Sequence, residues 1–270
     1  MRNFAGSRET MVIMVSRLRV LQFLSASALA LVLAGCGAPL SATWQGFPPD
    51  ATGQADGKDT PRADAGPDCA QVKCVALTFD DGPGPHTESL LDVLDEHEAK
   101  ATFFLIGKDV VKFPDIVRDE AARGHEIGNH TWSHQDLAKI SVAAGQRELS
   151  KTDAAIKEVT GAAPTVMRPP YGTIREDHMK SLDLPVAMWS VDTFDWKTRD
   201  AKKTVKAAEK VVPGSIVLMH DIHPSTIEAM PKMLTDLKAR GFHFVTVSQL
   251  VGDPKPGTDY KTGRQAAAGN

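Results

Sequence analysis

With 270 residues and ordinary fractions of charged and apolar side chains, the chain has room for one large α/β domain plus flanking segments. Its formal net charge is −3, with no basic block and no interleaving of basic and aromatic residues. That excludes the electrostatic footprint expected of a nucleic-acid-binding protein.

The first readable segment is an export signal. Arg17 and Arg19 precede the apolar stretch "VLQFLSASALALVLA" at residues 20–34. It is shorter than the ~20 residues a comfortable membrane span needs and suits the apolar core of a signal peptide. "LAGC" at 33–36 follows and resembles the lipobox of bacterial lipoproteins. Residues 1–35 are therefore expected to be a lipoprotein-type signal, with Cys36 lipidated. The plainer alternative is a secretory signal with an incidental cysteine. The ten residues before Met11 are unusual for a signal and point to a start at Met11 or Met14. Residues 36–68, rich in Ala, Gly, Pro, Asp and Thr without an apolar period, read as a flexible tether. The protein is expected to be exported and held by lipid at the outer face of the cell membrane or in the periplasm or envelope. In such a protein the close pair Cys69 and Cys74 reads as a disulfide pinning the start of the first strand.

From residue 69 to 252, strand-like and helix-like segments alternate. Strands are expected at 72–79, 101–106, 126–129, 165–168, 186–191, 215–220 and 242–247. Helices are expected at 88–98, 114–123, 141–159, 201–211 and 226–240, with Ser141 as an N-cap and Gly161 just beyond a helix end. This alternation implies a parallel sheet and predicts a distorted (β/α) barrel of about seven strands. A doubly wound open sheet is the alternative, weakened by the absence of a glycine-rich phosphate loop after any strand. Residues 253–270 read as a disordered tail.

Chemistry-bearing residues recur at the C-terminal ends of these strands, where barrels of this kind carry their sites. "TFDDGP" at 78–83 ends a buried strand on two adjacent carboxylates, Asp80 and Asp81. A desolvated pair cannot keep both charges without a positive partner. "HTWSH" places His130 and His134 four residues apart, a spacing that brings both imidazoles to one side if a helix starts there. Beside the Asp pair, two histidines and one carboxylate make a metal site with a position left open for water. The other carboxylate stays ionised as a base. His97, His178 and His243 read as solvated or structural, and His125 and His86 as packing or loop residues. His223 reads as a weaker candidate for the rim, and Asp192 as structural.

Five motifs in order, "TFDDGP" (78–83), "HTWSH" (130–134), "RPPYG" (168–172), "DTFDW" (192–196) and "LMH" (218–220), resemble those of the polysaccharide deacetylase family, the metal-dependent carbohydrate esterases. The resemblance covers roughly residues 72–250. "MWSVDTFDWK" and "GSIVLMHDIHP" are most similar to bacterial peptidoglycan N-acetylglucosamine deacetylases. The resemblance implies that Asp80 is the general base, oriented by Arg168, and that Asp81, His130 and His134 hold one divalent metal. Zinc is the first choice, with cobalt, nickel or manganese as alternatives. It further implies that the Tyr171 backbone N–H meets the oxyanion, that Asp195 holds His220 as general acid, and that Trp196 and Leu218 form a slot for the acetyl methyl. The expected reaction is removal of N-acetyl groups from N-acetylglucosamine residues of peptidoglycan, by a monomer with no nucleic-acid partner. The alternatives are a chitin-oligosaccharide or acetylxylan deacetylase and a non-catalytic sugar-binding lipoprotein. A glycosidase is disfavoured, because adjacent Asp80 and Asp81 cannot flank one glycosidic bond.

Overall fold

The computed structural model describes residues 66–264. The signal, Cys36, the tether up to residue 65 and residues 265–270 lie outside the described residues. Strand β1 (Cys74–Asp80) is buried along its whole length, and its alternation decides the architecture. Val75, Leu77 and Phe79 join Leu90, Leu91 and Leu94 of helix α1 (Thr87–Glu96) in one apolar cluster. Cys74 and Ala76 belong to a second cluster with Phe104, Ala187, Ile216 and Val245. A strand with two apolar faces needs cover on both. A sheet rolled into a barrel inside a layer of helices supplies it.

The other strands are β2 (Thr102–Leu105), β3 (Glu126–Asn129), β4 (Val166–Met167), β5 (Val186–Ala187), β6 (Val191–Asp192), β7 (Ser215–His220), β8 (His243–Val245) and β9 (Asp259–Tyr260). They pair in the order β6-β7-β1-β2-β3-β4-β5-β9, with β8 against the first half of β1, and every strand pair is parallel. The connections carry α2 (Gly107–Lys112), α3 (Pro114–Ala122), α4 (Val142–Thr160), α5 (Glu176–Met179), α6 (Asp195–Thr198), α7 (Ala201–Ala207), α8 (Pro224–Ala239) and α9 (Val247–Val251). Helix α4 starts and stops where the sequence says it should. The Ser141 hydroxyl accepts from the Ala144 N–H at 3.3 Å, and Gly161 takes the left-handed turn at φ 80°.

The expected barrel of parallel strands is what forms, with two differences. The strand expected over 186–191 is broken in two, with β5 on β4 and β6 on β7. Only residues 188–190 join these strands, which lie near opposite ends of the pairing order. At ~3.5 Å per residue, so short a link requires the sheet to curl until its ends meet. The break has a local cause: Arg168 draws the carbonyls of Ala187 and Met188 to its guanidinium at 2.7 and 2.9 Å.

The second difference is the tail. Residues 253–264 are ordered rather than loose. The Val186 and Met188 N–H groups donate to the carbonyls of Thr258 and Tyr260 at 2.9 and 2.8 Å. Thr262 then bridges Ser215 antiparallel, and the Gly263 N–H donates to Gly214 at 2.9 Å. This segment laces β5 to β7 beside the break. Its hold is main-chain hydrogen bonding, which leaves no period in the side chains to read.

Cys69 and Cys74, both fully buried, are joined by a disulfide five residues in span, which ties the incoming chain to the start of β1. Closing so short a loop stabilises by about 2 kcal/mol in the chain-entropy model. Replacing both cysteines by alanine is expected to lower unfolding free energy by about that amount in urea titrations. Reductant should then have no further effect on the variant.

Candidate active site

Five of the residues with left-handed backbone, Asp81 (φ 71°), Thr131 (66°), His134 (58°), Tyr171 (62°) and Phe194 (55°), lie where strands β1, β3, β4 and β6 run out into loops. Such conformations are costly for residues other than glycine and persist only where surrounding contacts enforce them. They line one cavity of about 310 Å³ or flank its walls, with Asp80, Asp81, His130, His134, Tyr171, Trp196, Leu218 and His220 all on its surface.

The two imidazoles do not meet on a helix. Residues 130–134 form a loop, and the turn at Thr131 and His134 brings the rings to 5.0 Å between centroids. The loop is fixed from outside: the Thr131 N–H donates to the Asn129 side chain at 2.7 Å, and the Ser133 N–H to Glu148 at 2.8 Å. The Nε2 atoms of His130 and His134 lie 3.4 and 3.1 Å from Asp81 Oδ1. One ligand atom from each of the three side chains falls within 4.8 Å of the others.

This donor set fits a divalent cation. Asp81 Oδ1 is buried and faces the two imidazole Nε2 atoms. His130 Nδ1 lies 2.7 Å from the Arg168 carbonyl and His134 Nδ1 3.2 Å from the Tyr171 hydroxyl. With Nδ1 engaged in this way, Nε2 is directed at the centre with its lone pair available. Burial pushes the Asp81 carboxyl up, but hydrogen bonds and charge from His130 and His134 outweigh it and hold it well below the usual range. Burial likewise lowers His130, and the charge of Asp80 with the bond to Asp81 more than reverses this.

Asp80 points to a different partner. Arg168, fully buried in the barrel, donates to Asp80 Oδ1 at 2.8 Å and to Thr78 Oγ1 at 2.7 Å, while Phe104 lies 4.2 Å beneath the guanidinium. Asp195 is also fully buried. Its Oδ1 lies 3.0 Å from His220 Nδ1, and its Oδ2 accepts from the His220 N–H and the Thr226 hydroxyl, both at 2.7 Å. Burial lowers the His220 pKa, but the bond to Asp195 and the charge of Asp80 push it up to about 9. The imidazole is therefore a cation at neutral pH, with Nε2 as its remaining N–H.

The structure brings together every strand-end residue singled out in the sequence. Arg168 and Asp195 lie behind the cavity surface, and the rest line it. His223 is buried and stacks on His220 at 5.7 Å, in contact with Arg199, instead of forming the rim. His178 and His125 are buried away from the cavity. Asp192, read as structural, does two things: it accepts from the Phe194 N–H at 2.7 Å and lines the cavity. Trp189 was missed. It forms a wall at the break between β5 and β6, so close to Gly172 that a Cβ there would lie 2.5 Å from the indole. An indole in a strand pattern gives no signal that the strand will open beside it.

Residues 68–187 match the family model described as polysaccharide deacetylase. The solved structure titled "T48 deacetylase with substrate" superposes with a TM-score of 0.70 at 45% identity, over 72% of this chain and 98% of that one. The chain belongs to the polysaccharide deacetylase family. Another solved structure, a family 4 acetyl xylan esterase from Clostridium thermocellum in complex with cobalt, superposes with a TM-score of 0.67 at 34% identity, over 70% of this chain and 98% of that one. Among curated relatives, a peptidoglycan-N-acetylglucosamine deacetylase of Listeria monocytogenes is 44% identical over 183 residues. That match spans 67% of this chain and 39% of the relative's length.

The His220–Asp195 pair carries a pH signature. In metal-free protein, His220 is expected to titrate near 9 by NMR of its ring protons, and Asp195→Asn to bring it down. Because the folded pKa lies above the ordinary 6.5, the stability it contributes is full below pH 6.5 and is lost as pH rises through about 9. Equal His220 titration in the parent and Asp195→Asn proteins would contradict this coupling.

Proposed function

We propose that the chain removes N-acetyl groups from N-acetylglucosamine residues of cell-wall polysaccharide, with peptidoglycan as substrate. The observation that carries this reading is the meeting, in one cavity, of an Asp-His-His donor set, a base held by Arg168 and an imidazolium held by Asp195. In this reading Asp81, His130 and His134 hold one divalent cation, zinc before cobalt, nickel or manganese. When bound, the cation supplies Lewis acidity and makes water a nucleophile near neutral pH.

The chain's own groups account for the rest of the reaction. Asp80, oriented by Arg168, takes a proton from the attacking water as its oxygen bonds to the acetamide carbonyl carbon. The Tyr171 N–H stabilises the oxyanion. His220 gives its Nε2 proton to the amine nitrogen as the carbon–nitrogen bond breaks, and acetate and a free amine leave. An amine is a poor leaving group without that proton, and a histidine that is cationic at neutral pH is suited to deliver it. Trp196 and Leu218 offer the acetyl methyl an apolar slot. The peptidoglycan assignment draws support from the named activity of the Listeria relative. The acetyl xylan esterase among the structural relatives keeps acetylated xylan as the second reading.

Export fits such a substrate. No helix among the described residues is long and apolar enough to cross a membrane. We place the anchor at Cys36 in "LAGC", with residues 36–68 as a tether reaching on the order of 30 Å as a flexible coil.

Three measurements follow. Asp81→Ala is expected to lose metal and activity together, whereas Asp80→Asn keeps metal and loses ~10²–10⁴-fold in kcat. Metal analysis that finds the reverse pattern would exchange the two roles. Acetate release should be highest from peptidoglycan when it is assayed beside chitin oligomers and acetylated xylan, and chelator should abolish it. Xylan as the best substrate with peptidoglycan untouched would favour the second reading. Cys36→Ser should release soluble protein or leave it unprocessed, and unchanged fractionation and mass would refute the anchor.

A further inference from the structure

A buried carboxyl beside the site takes no part in the mechanism above. Asp221 directly follows His220 at the end of β7 and is fully buried. Its Oδ2 accepts from the Thr87 hydroxyl, and its Oδ1 has no partner. Thr87, also fully buried, accepts in turn from the Gly84 N–H at 2.9 Å. The same carboxyl lies flat against Gly82. A Cβ there would come within 2.5 Å of Oδ2 and 2.6 Å of Oδ1, so no larger residue fits.

Gly82 follows Asp81, whose left-handed φ of 71° sets the direction of its carboxylate. Beyond Gly82 the backbone is gripped at two points: the Gly82 carbonyl accepts from the Ile106 N–H at 2.9 Å, and the Gly84 N–H is held by Thr87. A carboxyl buried with one oxygen unpaired is expensive, and a leucine would fill similar space at no such cost. What leucine lacks is an acceptor for Thr87. We propose that Asp221 is a positioning residue for the metal centre. Its carboxyl, the Thr87 hydroxyl and the Gly84 N–H form a clasp that holds the turn after Asp81 and fixes the ligand carboxylate opposite His130 and His134. This rests on the reading of Asp81, His130 and His134 as the cation's ligands. It adds a direct link between the loop that binds the cation and the strand end that carries the proton donor.

The test is zinc affinity of the full chain, stripped by chelator and titrated in competition with a chromophoric chelator, with the melting temperature of the metal-free protein measured alongside. Asp221→Ala and Thr87→Val are each expected to weaken zinc binding by ~10–100-fold, the usual cost of removing a partner behind a metal ligand. Because both break one clasp, the double variant should bind about as weakly as either single one. Asp221→Asn, whose amide oxygen still accepts from Thr87, should restore affinity. A lowered melting temperature with unchanged zinc affinity would overturn the proposal, as would fully additive losses. If Asp221→Ala does not fold, the near-isosteric Thr87→Val decides alone, and unchanged affinity in it overturns the clasp. Asp81→Ala is the control. If it binds zinc like the parent, the ligand assignment itself fails. If it loses zinc while Thr87→Val does not, only the clasp fails.

Discussion

A guanidinium buried inside a barrel is an expensive object, and the arrangement around Arg168 shows how its cost is offset. Four of its five N–H groups find acceptors: Asp80 and Thr78 on one side, the carbonyls of Ala187 and Met188 on the other, with Phe104 beneath the plane. Burial depresses its pKa, and the charge and hydrogen bond of Asp80 offset only part of that. Arginine nevertheless remains charged in proteins, so Asp80 faces a fixed cation. Removing one member of such a pair typically costs 3–5 kcal/mol, because the other is left charged in a dry place. The same guanidinium holds Asp80 at the end of β1 and draws the carbonyls of Ala187 and Met188 to itself beside the wall at Trp189. The Arg168 carbonyl also receives His130 Nδ1. Asp80, the orientation of His130 and the shape of the cavity thus share a single anchor.

The pattern of polar residues at strand ends carried most of the site into view before any coordinates. Asp80, Asp81, Arg168 and His220 each follow an apolar run, and a parallel sheet gathers the ends of such runs at one rim. Where the reading fell short, the missing information was main-chain conformation. "HTWSH" has helical spacing, but Thr131 and His134 adopt left-handed turns in a loop where Asn129 holds the Thr131 N–H and Glu148, fifteen residues downstream, holds the Ser133 N–H. The break at residues 188–190 depends on Arg168, about twenty residues upstream. Helix α2 is only six residues long, too short to show a period. Asp221 was invisible for another reason: burial of a carboxyl is a property of the packed structure.

Strain is concentrated where the chemistry is. Hydrogen bonds around the left-handed residues maintain loop conformations the loops would not choose alone: Asn129 holds the Thr131 N–H and Asp192 the Phe194 N–H. That division suits a hydrolase: rigid strands set where each side chain starts, and short turns set the final direction.

The lacing of residues 258–263 across β5 and β7 gives the barrel a seam rather than a continuous wall. Tyr260 holds Met188, and Met188 precedes Trp189, the indole that bounds the cavity. Cavity width is therefore set partly by a polar, glycine-bearing stretch that never meets the reacting atoms. A change in that stretch would reach the pocket wall through the main chain, by way of Met188, without altering any side chain that lines the cavity.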